Sequence, residues 1–203
     1  MKINRKGLYG LVICGGKSTR MGSDKSLMIY HEKPQREHVY EMLRNLCEEV
    51  FFSCNRDQIS SFPASSPILP DLEPYENIGP MAALLTAFST YPDQHFFVLG
   101  CDYPFITSQD LEEFSQSIET DEIAAAFYKK ENLVYEPLIA WYSKRSFIQI
   151  QRMFDNKQYS LQHFLKENNA AKFESVRPEN IRSVDTPEEH RIAKEAIARI
   201  NLF

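Results

Sequence analysis

The four cysteines, Cys14, Cys47, Cys54 and Cys101, form no Cys-x-x-Cys or Cys-x-x-x-Cys pair, which excludes a zinc knuckle and a thioredoxin-like dithiol. No run of Lys or Arg occurs, and 23 basic against 28 acidic residues give a net charge of −5. Nucleic acid and an anionic membrane are therefore not expected as partners. The apolar stretches are no longer than strands, and the basic start MKINRKGLYG has no small-residue cleavage site, so a cytoplasmic protein with reduced thiols is expected. A Gly-x-Ser-x-Gly elbow, an internal repeat and a long low-complexity tract are also missing, and the five histidines show no ligand spacing. What is present is 203 residues with 43% hydrophobic and 25% charged content, the ordinary composition of one globular domain, expected over residues 1–203.

Short apolar runs alternate with longer amphipathic stretches. Leu8–Cys14, Val50–Cys54 and Phe96–Cys101 read as strands, with helices over Gln35–Cys47 and Pro80–Tyr91 between them. This alternation predicts an α/β fold, a mostly parallel central sheet between helical layers. The runs LVIC and FFVLGC are apolar throughout, as strands covered on both faces must be. Pro34 fits the first turn of the first helix, and Thr107 with Asp110 fits a cap. Farther on, Ile123–Tyr128 and Leu133–Tyr142 predict a strand pair. Helices are expected over Lys144–Phe154 and Ser160–Asn168, and a last helix from Pro187 with Ile192, Ala193, Ala196, Ile197 and Ile200 on one face. Residues 60–80 carry five prolines and read as a functional loop.

Chemistry concentrates after the first strand. Gly15 and Gly16 let the chain turn its amides toward an anion, and Lys17, Arg20 and Lys25 add three cations within nine positions. Phosphate is the expected guest; an ordinary strand-to-helix turn with solvated basic residues is the alternative. A Walker A loop would need glycine where Leu11 stands, and the dinucleotide fingerprint fails because Gly15 and Gly16 are adjacent and the next glycine is Gly22. After the other buried strand comes Asp102, where ligands gather in open α/β sheets. One aspartate there suffices for Mg²⁺, whose remaining positions go to phosphates and water; a turn aspartate before Pro104 is the alternative.

The segment Gly15-Gly16-Lys17-Ser18-Thr19-Arg20-Met21-Gly22-Ser23-Asp24-Lys25 resembles the signature L-A-G-G-x-S-x-R-M-G-x-D-K of the molybdenum cofactor guanylyltransferases, within the Rossmann-like nucleotidyltransferases. Ile13-Cys14 replaces Leu-Ala. Cys101-Asp102 with Pro104 matches the family's C-D-x-P, where related cytidylyltransferases carry G-D-x-P. The resemblance implies a three-layer Rossmann-like nucleotidyltransferase fold. It implies Asp102 as the Mg²⁺ ligand, Lys25 on the triphosphate, Gly16 in the phosphate turn, and the backbone of Ile13, Cys14 and Gly15 on the nucleotide.

Further matches extend along the chain. Asp71, followed by Ile78-Gly79-Pro80, resembles the family aspartate of the guanosine pocket. A carboxylate there accepts from guanine N1–H and N2–H₂, donors that cytosine does not pair in this way, with a turn aspartate as the alternative. Ser53 and Asn55 resemble an S-x-N-R strand end near base or ribose, though a polar strand exit explains them too. Glu136-Pro137-Leu138 resembles a strand on the acceptor side, and Trp141 reads as core. Ser183-Val184-Asp185-Thr186-Pro187 resembles N-x-N-T-P: either Asp185 is a second metal-facing carboxylate, or Asp185 or Thr186 caps the helix that starts at Pro187.

The implied activity is transfer of GMP from GTP to the terminal phosphate of molybdopterin, with Mg²⁺ as cofactor and Arg20, Lys25 and Asp102 as catalytic groups. The implied partners are GTP, molybdopterin or molybdenum cofactor, other cofactor-biosynthesis proteins and molybdoenzyme chaperones. The alternatives are a CTP-dependent or sugar-phosphate nucleotidyltransferase of the same fold, and a non-catalytic nucleotide-binding maturation partner.

Overall fold

The continuous apolar runs occupy the middle of a sheet. In the computed structural model, which describes residues 2–14 and 24–200, β1 (Leu8–Ile13) lies between β2 (Glu49–Cys54) and β4 (His95–Gly100) and is parallel to both. Leu11, Val12, Phe97, Val98 and Leu99 are fully buried, because helices cover each side. The other strands are β3 (Ile68–Pro70), β5 (Ala124–Lys129), β6 (Val134–Tyr142) and β7 (Ala171–Phe173). The order is β3-β2-β1-β4-β6-β5-β7, with β6 antiparallel to both β4 and β5 and the other pairs parallel. The predicted strand pair around KKEN is the β5–β6 hairpin.

The helices are α1 (Gln35–Leu46), α2 (Pro80–Thr90), α3 (Ser108–Ser117), α4 (Ser146–Asp155), α5 (Leu161–Glu167) and α6 (Pro187–Ile200). One face of the sheet packs Val39 and Leu43 of α1 and Leu111 and Phe114 of α3. The other packs Leu84 and Phe88 of α2, Ile150 of α4 and Phe164 of α5. Each such fully buried Leu or Phe stabilises the fold by about 1.5–3 kcal/mol. Gly10 is required by close approach: a Cβ there would meet Val50 Cγ2 at 3.0 Å and Leu43 Cβ at 3.2 Å, so α1 sits down on β1 where a side chain is missing. The expected cap of α3 is present, Thr107 accepting from the Asp110 amide and Asp110 reaching back.

Four details differ from the expectations. Pro34 is the N-cap of α1 and not part of its first turn. Residues 60–80 contain a 3₁₀ turn and β3, concealed because Pro67 and Pro70 mark it; as an outermost strand it tolerates a residue without an amide proton. The three-residue β7 carries too little pattern to be read. On α6, Ala193 and Ile197 pack with Tyr30 and Val184, but Ile192 is exposed. Among the described residues no helix is long and apolar enough to cross a membrane.

Candidate active site

The parallel strands deliver their C-terminal ends to one edge, and Asp102 leaves β4 there. Its carbonyl accepts from the Val184 amide at 2.8 Å, which draws residues 183–186 over the strand end. Lys25 arrives from the other side on a short 3₁₀ turn, Lys25–Leu27, whose N-cap Asp24 accepts from the Ser26 amide. The Lys25 ammonium lies 2.7 Å from Asp185 Oδ1 and 3.3 Å from Asp102 Oδ1. Burial alone would lower its pKa, but the hydrogen bond to Asp185 and the charge of Asp102 outweigh that and raise it. Lys25 therefore stays charged.

Asp102 is held above the ordinary carboxylate range. Burial raises it most, Lys25 opposes, and the nearby charge of Asp185 raises it further. The two carboxylates thus share one ammonium, and a further cation would relieve their repulsion. This donor set fits Mg²⁺, which takes one or two protein carboxylates. Among the described residues no group of three or more His, Cys, Asp or Glu could enclose a metal, so other oxygens would have to come from substrate and water. Burial, with the Asp102 charge adding, also raises the hydroxyl of Tyr30, which keeps that ring neutral beside the carboxylate.

The C-terminal segment resolves the double reading of Asp185. Thr186 accepts from the Glu189 amide at 3.2 Å, while Glu189 accepts from the amides of Asp185 and Thr186 at 2.8 and 2.9 Å. Thr186 caps α6, leaving the Asp185 side chain to face Lys25. Of the two residues read as the cap, Thr186 is the one that makes it, and the Asp185 side chain does not.

At the ends of β1 and β2 the backbone is tightly joined. The Cys14 amide donates to the Ser53 carbonyl at 2.9 Å, the Cys101 amide to the Ile13 carbonyl at 3.3 Å and the Asp71 amide to the Cys54 carbonyl at 3.0 Å. Ser53 is buried. Asn55 Oδ1 accepts from the Gln58 amide and caps the 3₁₀ helix Arg56–Ser61. Asp71 follows β3 beside these ends. Burial, with the Glu76 charge adding, pushes its carboxyl up to about 6. Behind it Gly79 opens α2 at φ 72°, ψ −153°, a conformation open essentially to glycine alone.

The structure therefore brings Lys25, Asp102 and Asp185 together and sets Ile13, Cys14, Ser53 and Asp71 along the neighbouring strand ends. Gly15, Gly16 and Arg20 lie outside the described residues. Sequence reasoning missed Gln58, whose amide nitrogen donates to the Cys14 carbonyl at 3.0 Å and to Asp24 Oδ2 at 2.8 Å; the Asn55-x-x-Gln58 spacing of a capping box was its available signal. It also missed the pairing of Glu136, which accepts from the Tyr103 hydroxyl at 2.6 Å and pairs with Lys129 at 2.6 Å. Trp141 is core, as expected, stacked on His95. All four cysteines are free and buried, and burial pushes the Cys47 and Cys54 thiols up to about 12, so neither of those two supplies a thiolate near neutral pH.

Residues 10–172 match the family model described as the MobA-like NTP transferase domain. The chain belongs to the MobA-like NTP transferases. Among curated relatives, the molybdenum cofactor biosynthesis bifunctional protein of Synechocystis is 30% identical over 93% of this chain and 54% of its own length. The chain thus spans about half of that relative. A protein of Flavobacterium johnsoniae named "Probable molybdenum cofactor guanylyltransferase" is 30% identical over 68% of this chain and 70% of its own. The crystal structure of molybdopterin-guanine dinucleotide biosynthesis protein A from Archaeoglobus fulgidus superposes with a TM-score of 0.76 at 19% identity, covering 94% of this chain and 99% of that one. The Rossmann-like nucleotidyltransferase fold of this MobA-like chain is shared with it.

Proposed function

We propose that this MobA-like protein transfers GMP from GTP to the terminal phosphate of molybdopterin, releasing pyrophosphate. The observation that carries the reading is the Lys25 ammonium held between Asp102 and Asp185 at the strand edge. The names of the curated relatives support the choice of guanine nucleotide and pterin acceptor. An acceptor phosphate oxygen attacks the α-phosphorus of GTP, the bond to the bridging oxygen breaks, and pyrophosphate leaves with its electron pair. The nucleophile is already an anion, so no general base is needed. The barrier is repulsion between the attacking anion and a polyanionic substrate.

Lys25 lowers that barrier by placing a positive charge on the triphosphate, assisted by Arg20 and by the backbone amides of Gly15 and Gly16. Asp102, with Asp185 beside it, would hold Mg²⁺, which supplies Lewis-acid neutralisation of the phosphates. Asp71 selects guanine by accepting from its N1–H and N2–H₂. The experiment is incubation with molybdopterin, Mg²⁺ and GTP, CTP or ATP in turn, with the dinucleotide identified by mass spectrometry. Guanine dinucleotide and pyrophosphate from GTP alone is the expected outcome. Preferential use of CTP, or nucleotide binding without pyrophosphate release, would overturn it.

A further inference from the structure

Gln58 makes contacts that a capping residue does not need. Its backbone amide donates to Asn55 Oδ1 at 3.1 Å and its side-chain oxygen accepts from the Asn55 amide at 3.2 Å, which completes the cap. The remaining group, Nε2, then spans two separate parts of the chain, the Cys14 carbonyl at 3.0 Å and Asp24 Oδ2 at 2.8 Å. The orientation of the amide is forced, since a carbonyl and a carboxylate only accept and the Asn55 amide only donates. Cys14 and Asp24 are the two flanks of residues 15–23. Asp24 is adjacent to Lys25 and uses its other oxygen, Oδ1, to cap the turn carrying it, at 2.9 Å from the Ser26 amide.

Gln58 is itself braced from α1. The Ser61 hydroxyl donates to the Gln58 carbonyl at 2.7 Å. Arg36 donates to the Ser61 hydroxyl at 2.9 Å and carbonyl at 2.6 Å and lies 3.9 Å over the Phe62 ring. Rigid support thus runs from α1 through Arg36, Ser61 and Gln58 to both flanks of the glycine-containing segment.

We propose that Gln58 is a positioning residue that clasps Cys14 to Asp24 and thereby aims Lys25 at Asp102 and Asp185. The inference deepens the guanylyl-transfer reading and rests on it for its catalytic consequence. Gln58→Ala opens the clasp. Gln58→Glu sets a carboxylate against Asp24 and leaves the Cys14 carbonyl without its donor, and adding Asp24→Asn to it restores a donor–acceptor pair between positions 24 and 58 while the new amide oxygen still accepts from Ser26.

Turnover is expected to fall at least about tenfold in Gln58→Ala, a misplacement effect on a charge that must meet the substrate. In Gln58→Glu the loss is expected to exceed that of Gln58→Ala, because a second carboxylate then faces Asp24, and Asp24→Asn in that background recovers much of it. Without substrate, hydrogen exchange at the Ser26 and Leu27 amides is expected to quicken in Gln58→Ala while that of α1 stays unchanged. Unchanged exchange in Gln58→Ala, or Gln58→Glu activity that does not recover with Asp24→Asn, overturns the clasp. A wild-type protein that makes no dinucleotide overturns the functional reading alone, and the exchange measurement still decides the clasp.

Discussion

The pH dependence of GTP affinity tests Asp71 directly. Burial, reinforced by Glu76, moves its carboxyl from the ordinary 3.8 up to about 6. Only the ionised form can accept from both guanine donors. A group titrating near 6 is about nine-tenths ionised at pH 7 and about one-tenth ionised at pH 5. GTP affinity should therefore fall about tenfold between these values, close to 1.4 kcal/mol. An ordinary carboxylate, still mostly ionised at pH 5, would produce almost no change. The assay is isothermal titration with GTP and Mg²⁺ at pH 5, 6 and 7, with circular dichroism to verify folding. Asp71→Asn is the control, because protonation of the nucleotide's own phosphates and of Asp102 is common to both proteins and cancels in their ratio. The amide variant lacks a charge-assisted hydrogen bond and should bind roughly 10- to 150-fold more weakly at pH 7. The wild-type advantage should then shrink toward pH 5. A ratio that stays constant across the range, or an amide variant that binds GTP as tightly as wild type, refutes the assignment.

Lys25→Ala and Asp102→Asn should each lose about 3–4 kcal/mol of transition-state stabilisation while circular dichroism stays native; GMP transfer near the wild-type rate in either contradicts the site. Asp185→Asn should raise the Mg²⁺ concentration needed for half-maximal turnover, and an unchanged Mg²⁺ titration removes Asp185 from the metal. Asp110 is buried, and although burial raises its carboxyl, hydrogen bonds from Thr107, Asn180 and Arg177 bring it below the ordinary 3.8. Its contribution to stability is present above that value and withdrawn as pH falls through the depressed pKa, so Asp110→Asn should flatten the acid side of the Tm profile; an unaltered slope counts against it. Thr107→Ala should cost about 1 kcal/mol in urea unfolding through loss of the α3 cap.

Local pattern carried much of the architecture. Continuous apolar runs identified β1 and β4 because a strand buried on both faces admits no polar alternation, and the Thr107–Asp110 spacing identified the start of α3. The elements that escaped are those whose formation depends on neighbours. β3 is written with prolines and is held by backbone bonds to β2, and β7 is three residues paired to β5. Asn55 was legible as a polar residue at a strand exit, but its capping bond with Gln58 depends on the 3₁₀ turn that follows β2. Pro187 marked Asp185 and Thr186 alike as possible caps, and the structure selects Thr186, in a reciprocal pair with Glu189.

By itself the chain specified its alternation of strands and helices, the polar residues at the ends of β1 and β4, and the chemistry those residues can perform, since these are local in sequence. Tertiary structure alone decided which charges meet. Lys25 and Asp185 are 160 positions apart and become partners because Val184 bonds to the Asp102 carbonyl as β4 ends. No periodicity encodes such a contact, which arises only when the parallel strands bring their ends to one edge.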